Sequence, residues 1–225
     1  MLQVLIAGAS KGIGLGLTRA FLEYGAHVHA VTRQQSCPAL EQLSEQHPSR
    51  LNHIVCDMSR DDAPQLVRYA IKSRLDIAVF NAGVSTNESI DSIGKDEIGS
   101  LFLCNAIAPL RIARELSPTM PAGSVIAFMS SQMGSVELAR AASMPLYGAS
   151  KAALNSLVRS WSEADDKPAA GLLALHPGWV KTDMGGDAAP LTVEESVTGL
   201  VKTLLASQGV TGCRFLDYEQ RVLPW

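Results

Sequence analysis

Residues 2–25, LQVLIAGASKGIGLGLTRAFLEYG, decide the fold, because a strand, a turn and a helix follow one another there without a gap. The run VLIA is short and unbroken, as in a strand buried on both faces. Beyond it, apolar residues recur at helical spacing, so the chain must turn between the two. Gly8, Gly12 and Gly14 occupy that turn. Glycine permits positive φ and close backbone approach, and the N–H groups at a helix start can receive a pyrophosphate. The spacing Gly-x-x-x-Gly-x-Gly has a longer first turn than the Gly-x-Gly-x-x-Gly dinucleotide fingerprint. Two readings therefore stand: a phosphate-binding turn, or glycines needed only for tight strand-to-helix packing.

The same alternation continues along the chain. Apolar runs at VLIAG, HVHAV, NHIVC, DIAVF, SVIAFM and LLALH read as six strands and CRFLD as a seventh, with helical patterns between them. Strands that alternate with helices form a parallel sheet with right-handed crossovers. The expected fold class is α/β: a single-domain, doubly wound Rossmann fold over residues 1–225, with a seven-stranded, mostly parallel sheet and helices on both faces. With 225 residues and 47% apolar content, one core of that size can form.

Composition narrows the function. A net charge of −3 with scattered charges gives no basic footprint, so no nucleic-acid partner is expected. The opening MLQVLIAGAS is too short for a signal peptide and no apolar run reaches membrane-spanning length, so no membrane association and a cytoplasmic location are expected. Cys37, Cys56, Cys104 and Cys213 are widely spaced and read as reduced thiols. His27 and His29 lie on one strand face without metal-ligand spacing, so no metal site is expected.

Chemistry is concentrated in LYGASKAALNSLV, residues 146–158. Tyr147 and Lys151 are four apart, so a helix puts phenol and ammonium on one face. A cation favours phenolate over phenol, so the pair can pass a proton to or from an alcohol oxygen. Other motifs precede and follow in a fixed order: GASKGIG, Asp57 after the third strand, FNAG at 80–83, Asn105 in a helix, MSSQMG at 129–134, then HPGWVKTDM at 176–184. On these motifs the chain resembles the short-chain dehydrogenase/reductase family over essentially its full length. Within it, SSQMGSVELARAASMPLYGASKAALNS, HPGWVKTDMGG and the ending LPW are most similar to the compact C-factor and sniffer-type carbonyl reductases.

The resemblance implies roles. Tyr147 is the acid or base, Lys151 lowers its pKa and binds the nicotinamide ribose, Ser131 hydrogen-bonds the substrate oxygen, and Asn105 helps hold a proton-relay water. Without the family, Asn105 reads equally as a buried amide at a helix kink near Pro109. The implied dinucleotide contacts are Gly8, Ser10, Lys11, Gly12, Ile13 and Gly14 in the glycine turn, and Asp57 and Met58 beside the adenine. Asn81, Ala82 and Gly83 follow at the ribose. Tyr147, Lys151, Pro177, Gly178, Val180 and Thr182 lie at the nicotinamide end. Asp57 also fits as the N-cap of the next helix, with Ser59 as its competitor.

Cofactor choice turns on the end of the second strand, HAVTRQQ, where Thr32 stands in place of an acid that would hold a ribose 2′-hydroxyl and Arg33 follows. Arg33, with Lys11 near it, can hold a 2′-phosphate, which favours NADP(H) over NAD(H). Ser131 and Tyr147 are sixteen positions apart, a few more than is common in the family, and the extra residues in SVELARAASMP are expected to wall the substrate site. Glu137 and Arg140 within it are expected to pair at the surface. The short GGDAAPLT after HPGWVKTDM implies an open cleft. The expected activity is reversible hydride transfer between nicotinamide and a small-molecule carbonyl or alcohol. The alternative is an NADP(H)-binding sensor or signalling protein with little turnover. Apolar faces on two long helices could pair in a homo-oligomer.

Overall fold

The computed structural model of the protein describes residues 1–225. Seven short apolar strands are β1 (Gln3–Ala7), β2 (His27–Thr32), β3 (Leu51–Val55), β4 (Ile77–Phe80), β5 (Val125–Met129), β6 (Gly171–His176) and β7 (Cys213–Asp217). The helices between them are α1 (Gly12–Glu23), α2 (Pro38–Gln46), α3 (Ala63–Ala70), α4 (Lys95–Phe102), α5 (Ala108–Leu116), α6 (Pro145–Glu163) and α7 (Val193–Ala206). Every strand expected from the sequence forms. All pair in parallel in the order β3-β2-β1-β4-β5-β6-β7, so the sheet is wholly rather than mostly parallel.

Period-2 alternation divides each strand between two cores. Val4 and Ile6 of β1 and Val125, Ala127 and Met129 of β5 join a cluster of 24 buried residues, with Leu17, Phe21, Leu200 and Leu204 from α1 and α7. Leu5 and Ala7, with Ile126 and Phe128, face a cluster of 23, with Val67, Ile112, Leu154 and Trp161 from α3, α5 and α6. Near-equal clusters mean that both faces are covered, which is why the strands read as unbroken apolar runs. No helix is long and apolar enough to cross a membrane.

Strand order reverses between β1 and β4, the position at which open parallel sheets take ligands, beyond the carboxyl ends of the strands. The long helix expected around Asn105 is instead α4, a π-helical turn at Leu103–Ile107 and α5. Pro109 has no N–H to give the carbonyl of Asn105, four residues back, and the wider turn accommodates that loss.

Candidate active site

The glycine turn leaves β1 and delivers the chain to α1. Gly8 has φ +89°, and a Cβ on it would lie 2.6 Å from the Ala82 nitrogen; one on Gly14 would lie 1.9 Å from the Gly8 carbonyl oxygen. Packing alone therefore demands these two glycines, and it also seats Asn81 and Ala82 beside the turn, where the Asn81 amide donates to the Gly8 carbonyl at 3.0 Å. What suits the turn to a dinucleotide is the start of α1. The amides of its first turn, at Gly12, Ile13 and Gly14, have no acceptor within the helix, and no acidic side chain stands among them.

Two neighbouring segments border the glycine turn. Thr32 is buried, its hydroxyl donating to the Gln34 carbonyl at 2.6 Å and lying 2.7 Å from His53 Nε2, so it shapes the bend after β2. Arg33 is exposed and makes no ion pair within the chain. Asp57 accepts from the Ser59 amide at 3.0 Å and its hydroxyl at 2.7 Å, which hold its carboxyl below the usual range. It does not cap α3: that helix starts after Asp62, five residues further on, because the bend at 57–59 has already used the carboxylate. Met58 follows at the edge of the core beneath.

At the centre lies α6. Lys151 is 3% exposed, and its ammonium donates to the Met129 carbonyl at 2.7 Å, from the last residue of β5. Its Nζ is 5.7 Å from the centroid of the Tyr147 ring. Burial pushes the Tyr147 phenol up to about 12 and the Lys151 ammonium down to about 8. Desolvation is the cause of both shifts, and the Lys151 cation is already engaged by a carbonyl.

The adjacent serines 130 and 131 take different partners. Ser130 is buried and donates to Asn155 Oδ1 at 2.6 Å, while Ser131 Oγ accepts from the Met133 amide at 3.1 Å and keeps its proton for another acceptor. A Cβ on Gly134 would come within 2.8–3.0 Å of Lys151 backbone and Cβ atoms, so the turn carrying Ser131 is pressed directly onto α6. Asn105 is 1% exposed with both amide hydrogens used: it accepts from the Val84 amide at 2.8 Å and donates to the Val84 carbonyl at 2.8 Å and Ser150 Oγ at 2.9 Å. Gly83 sits between this amide and Lys151, where a Cβ would be 3.2 Å from Asn105 Oδ1 and 3.3 Å from Lys151 Nζ.

Opposite α6, the segment after β6 folds on itself. Pro177 accepts from Ser196 Oγ at 2.6 Å, Gly178 has φ +85° against Leu191, and Val180 is buried in a bridge to Leu191. Thr182 Oγ1 accepts from the Gly185 amide at 3.1 Å. Trp179 and Met184 stay exposed at the rim.

With these elements in place, comparison with known proteins is decisive. A family model for short chain dehydrogenase matches residues 3–190.

The chain belongs to the short chain dehydrogenase family.

As a member it is an NAD(P)-dependent oxidoreductase. It is similar, at 50% identity over the full length of both chains and a TM-score of 0.94, to a carbonyl reductase from Pseudomonas aeruginosa PAO1 solved in complex with NADP. The carbonyl reductase Sniffer of D. melanogaster is 29% identical, with all of both chains covered and a TM-score of 0.86. The C-signal of Myxococcus xanthus is 35% identical over 155 residues, 67% of this chain and 93% of that protein.

Sequence reasoning missed several residues of this family site. Ser150, Asn155 and the Met129 carbonyl hold its parts together, and Asp183 binds Lys11 across it. Ser150 and Asn155 lie at i+3 from Tyr147 and i+4 from Lys151, a spacing that marks them as helix neighbours of the pair. The predicted pairing of Glu137 with Arg140 does not form. The Glu137 amide instead donates to the Trp225 carbonyl at 3.2 Å, and the Trp225 ring tucks against Phe215 with centroids 5.5 Å apart.

Proposed function

We propose that residues 1–225 form one dinucleotide-binding and catalytic unit that reduces small-molecule aldehydes, ketones or quinones with NADPH, in a reversible reaction. What supports this reading is that Lys151 reaches the end of β5 through the Met129 carbonyl, lies 5.7 Å from the Tyr147 ring and packs against the turn that carries Ser131. NADP rather than NAD is favoured by Arg33, an unpaired cation where an acid would select the 2′-hydroxyl, and by the NADP carried by the similar P. aeruginosa reductase.

The nicotinamide, when bound, supplies the hydride. The protein's residues do the rest. The amides of Gly12, Ile13 and Gly14 take the pyrophosphate, with Gly8, Ser10 and Lys11 forming the turn, while Asp57, Met58, Asn81, Ala82 and Gly83 border the adenosine. Pro177, Gly178, Val180 and Thr182 frame the nicotinamide end. Ser131 donates its free proton to the carbonyl oxygen and orients it. Tyr147, a protonated phenol, gives up its proton as the alkoxide develops. Lys151 steadies the resulting phenolate and donates to the ribose. Both N–H groups of the Asn105 amide are taken by the protein, and a relay water fits its backbone carbonyl, which Pro109 leaves without its α-helical donor. An exposed rim of Trp179, Met184 and Val136 fits apolar substrates entering an open cleft.

The test is NADPH oxidation against a panel of aldehydes, ketones and quinones beside direct titration of NADPH binding. Turnover is expected for at least one class. Tight binding without turnover across the panel would instead favour the sensor reading.

A further inference from the structure

Lys11 stands at the N-cap of α1, yet its side chain makes no cap; its ammonium pairs with the carboxylate of Asp183. The contact joins the two walls of the dinucleotide crevice, the glycine turn after β1 and the turn after β6. The two turns lie close beside it, since a Cβ on Gly12 would meet the Thr182 methyl at 3.3 Å. Asp183 is presented by a turn that is fixed independently of Lys11: Gly186 N–H donates to the Thr182 carbonyl at 2.8 Å and Trp179 Nε1 to the Gly185 carbonyl at 2.8 Å. Lys11 and Asp183 are 74% and 78% exposed, so their pairing is weak and exchangeable.

The turn that carries Lys11 abuts the end of β2, where the Ala9 amide donates to the Val31 carbonyl at 3.1 Å and Cys37 Sγ to the Ser10 carbonyl at 3.4 Å, so a 2′-phosphate by Arg33 would offer the lysine a second anion. A phosphate monoester carries close to two negative charges at neutral pH and a carboxylate one. We propose that Lys11 is contested: Asp183 holds it in the free protein, and the 2′-phosphate of NADPH draws it away, so Asp183 sets the selectivity for NADPH over NADH. The inference rests on the proposed NADP(H) reading. Lys11 is then a partner-exchanging cation and Asp183 a residue that lowers NADPH affinity, while releasing the turn after β6 as the dinucleotide seats.

Equilibrium titration of NADPH and NADH, followed by nicotinamide fluorescence, separates the possibilities. Asp183→Asn and Asp183→Ala should each tighten NADPH by about two- to fivefold, the range of an exposed ion pair, and leave NADH within error. Lys11→Met should weaken NADPH selectively, and in the Lys11→Met background Asp183→Asn should have no further effect. Simple repulsion of the pyrophosphate by Asp183 would act on both dinucleotides and persist without Lys11; that result, or an unmoved NADPH affinity in both Asp183 variants, overturns the inference alone. A wild-type protein that binds NADPH no more tightly than NADH overturns the cofactor reading beneath it.

Discussion

At the scale of single residues the site carries a stability cost that function explains. Lys151 is buried with one carbonyl as its acceptor, and the drop of its pKa from 10.5 to about 8 corresponds to ~3 kcal/mol of destabilisation at neutral pH. Between those two pH values the unfolded chain holds a proton that the folded chain has lost, so this group's contribution to stability rises with pH there; below 8 the penalty is full. Lys151→Met should therefore stabilise the cofactor-free protein at pH 7 by about 1–2 kcal/mol, after allowing for the abandoned Met129 carbonyl, and lose that gain by pH 10.5. Urea denaturation at the two pH values checks it; a less stable variant at pH 7 would count against a buried ammonium. Arg33→Ala should weaken NADPH by about 1.5–3 kcal/mol with little change for NADH, which parallel titrations would show. Both residues were legible in the sequence, since a cation at i+4 from a tyrosine and an arginine after a strand are local patterns. Asp183 was not, because its partner lies 172 positions away and only the folded crevice brings them together.

Elements place these residues, and their geometry was legible to different depths. Strand positions could be read from apolar runs because a sheet covered on both faces leaves no polar alternation to confuse them. The π turn at Leu103–Ile107 could not, since Pro109 announces a disturbance in a helix without saying whether it kinks, breaks or widens. Nor could the sequence tell whether the glycine turn serves phosphate or packing: Gly8 and Gly14 prove to be fixed by contacts of the protein with itself. Gly14→Ala should accordingly destabilise the cofactor-free protein, by about 1–3 kcal/mol or more, since its Cβ would overlap the Gly8 carbonyl and push β1 from α1. Thermal unfolding without ligand measures this. A loss confined to dinucleotide affinity, with unfolding unchanged, would instead make Gly14 a purely ligand-facing position.

For the whole molecule, a parallel sheet with a strand-order reversal at β1 and β4 explains why motifs scattered from residue 8 to residue 182 meet along one edge. Chain order and strand alternation foretold that edge. The segment at 135–145 is tied down by the Trp225 carbonyl, which accepts from Glu137 and Ser135, a long-range closure with no local signature. Within this architecture the central claim is that a half-buried, protonated Tyr147 delivers the proton that completes carbonyl reduction. It is tested most directly by single-turnover oxidation of bound NADPH with a responsive carbonyl substrate, comparing wild-type protein with Tyr147→Phe. The account predicts a rate at least a hundredfold lower for the variant, in the range of a lost general acid, with NADPH affinity within a few-fold of wild type. A variant that keeps more than a tenth of the wild-type rate would contradict it.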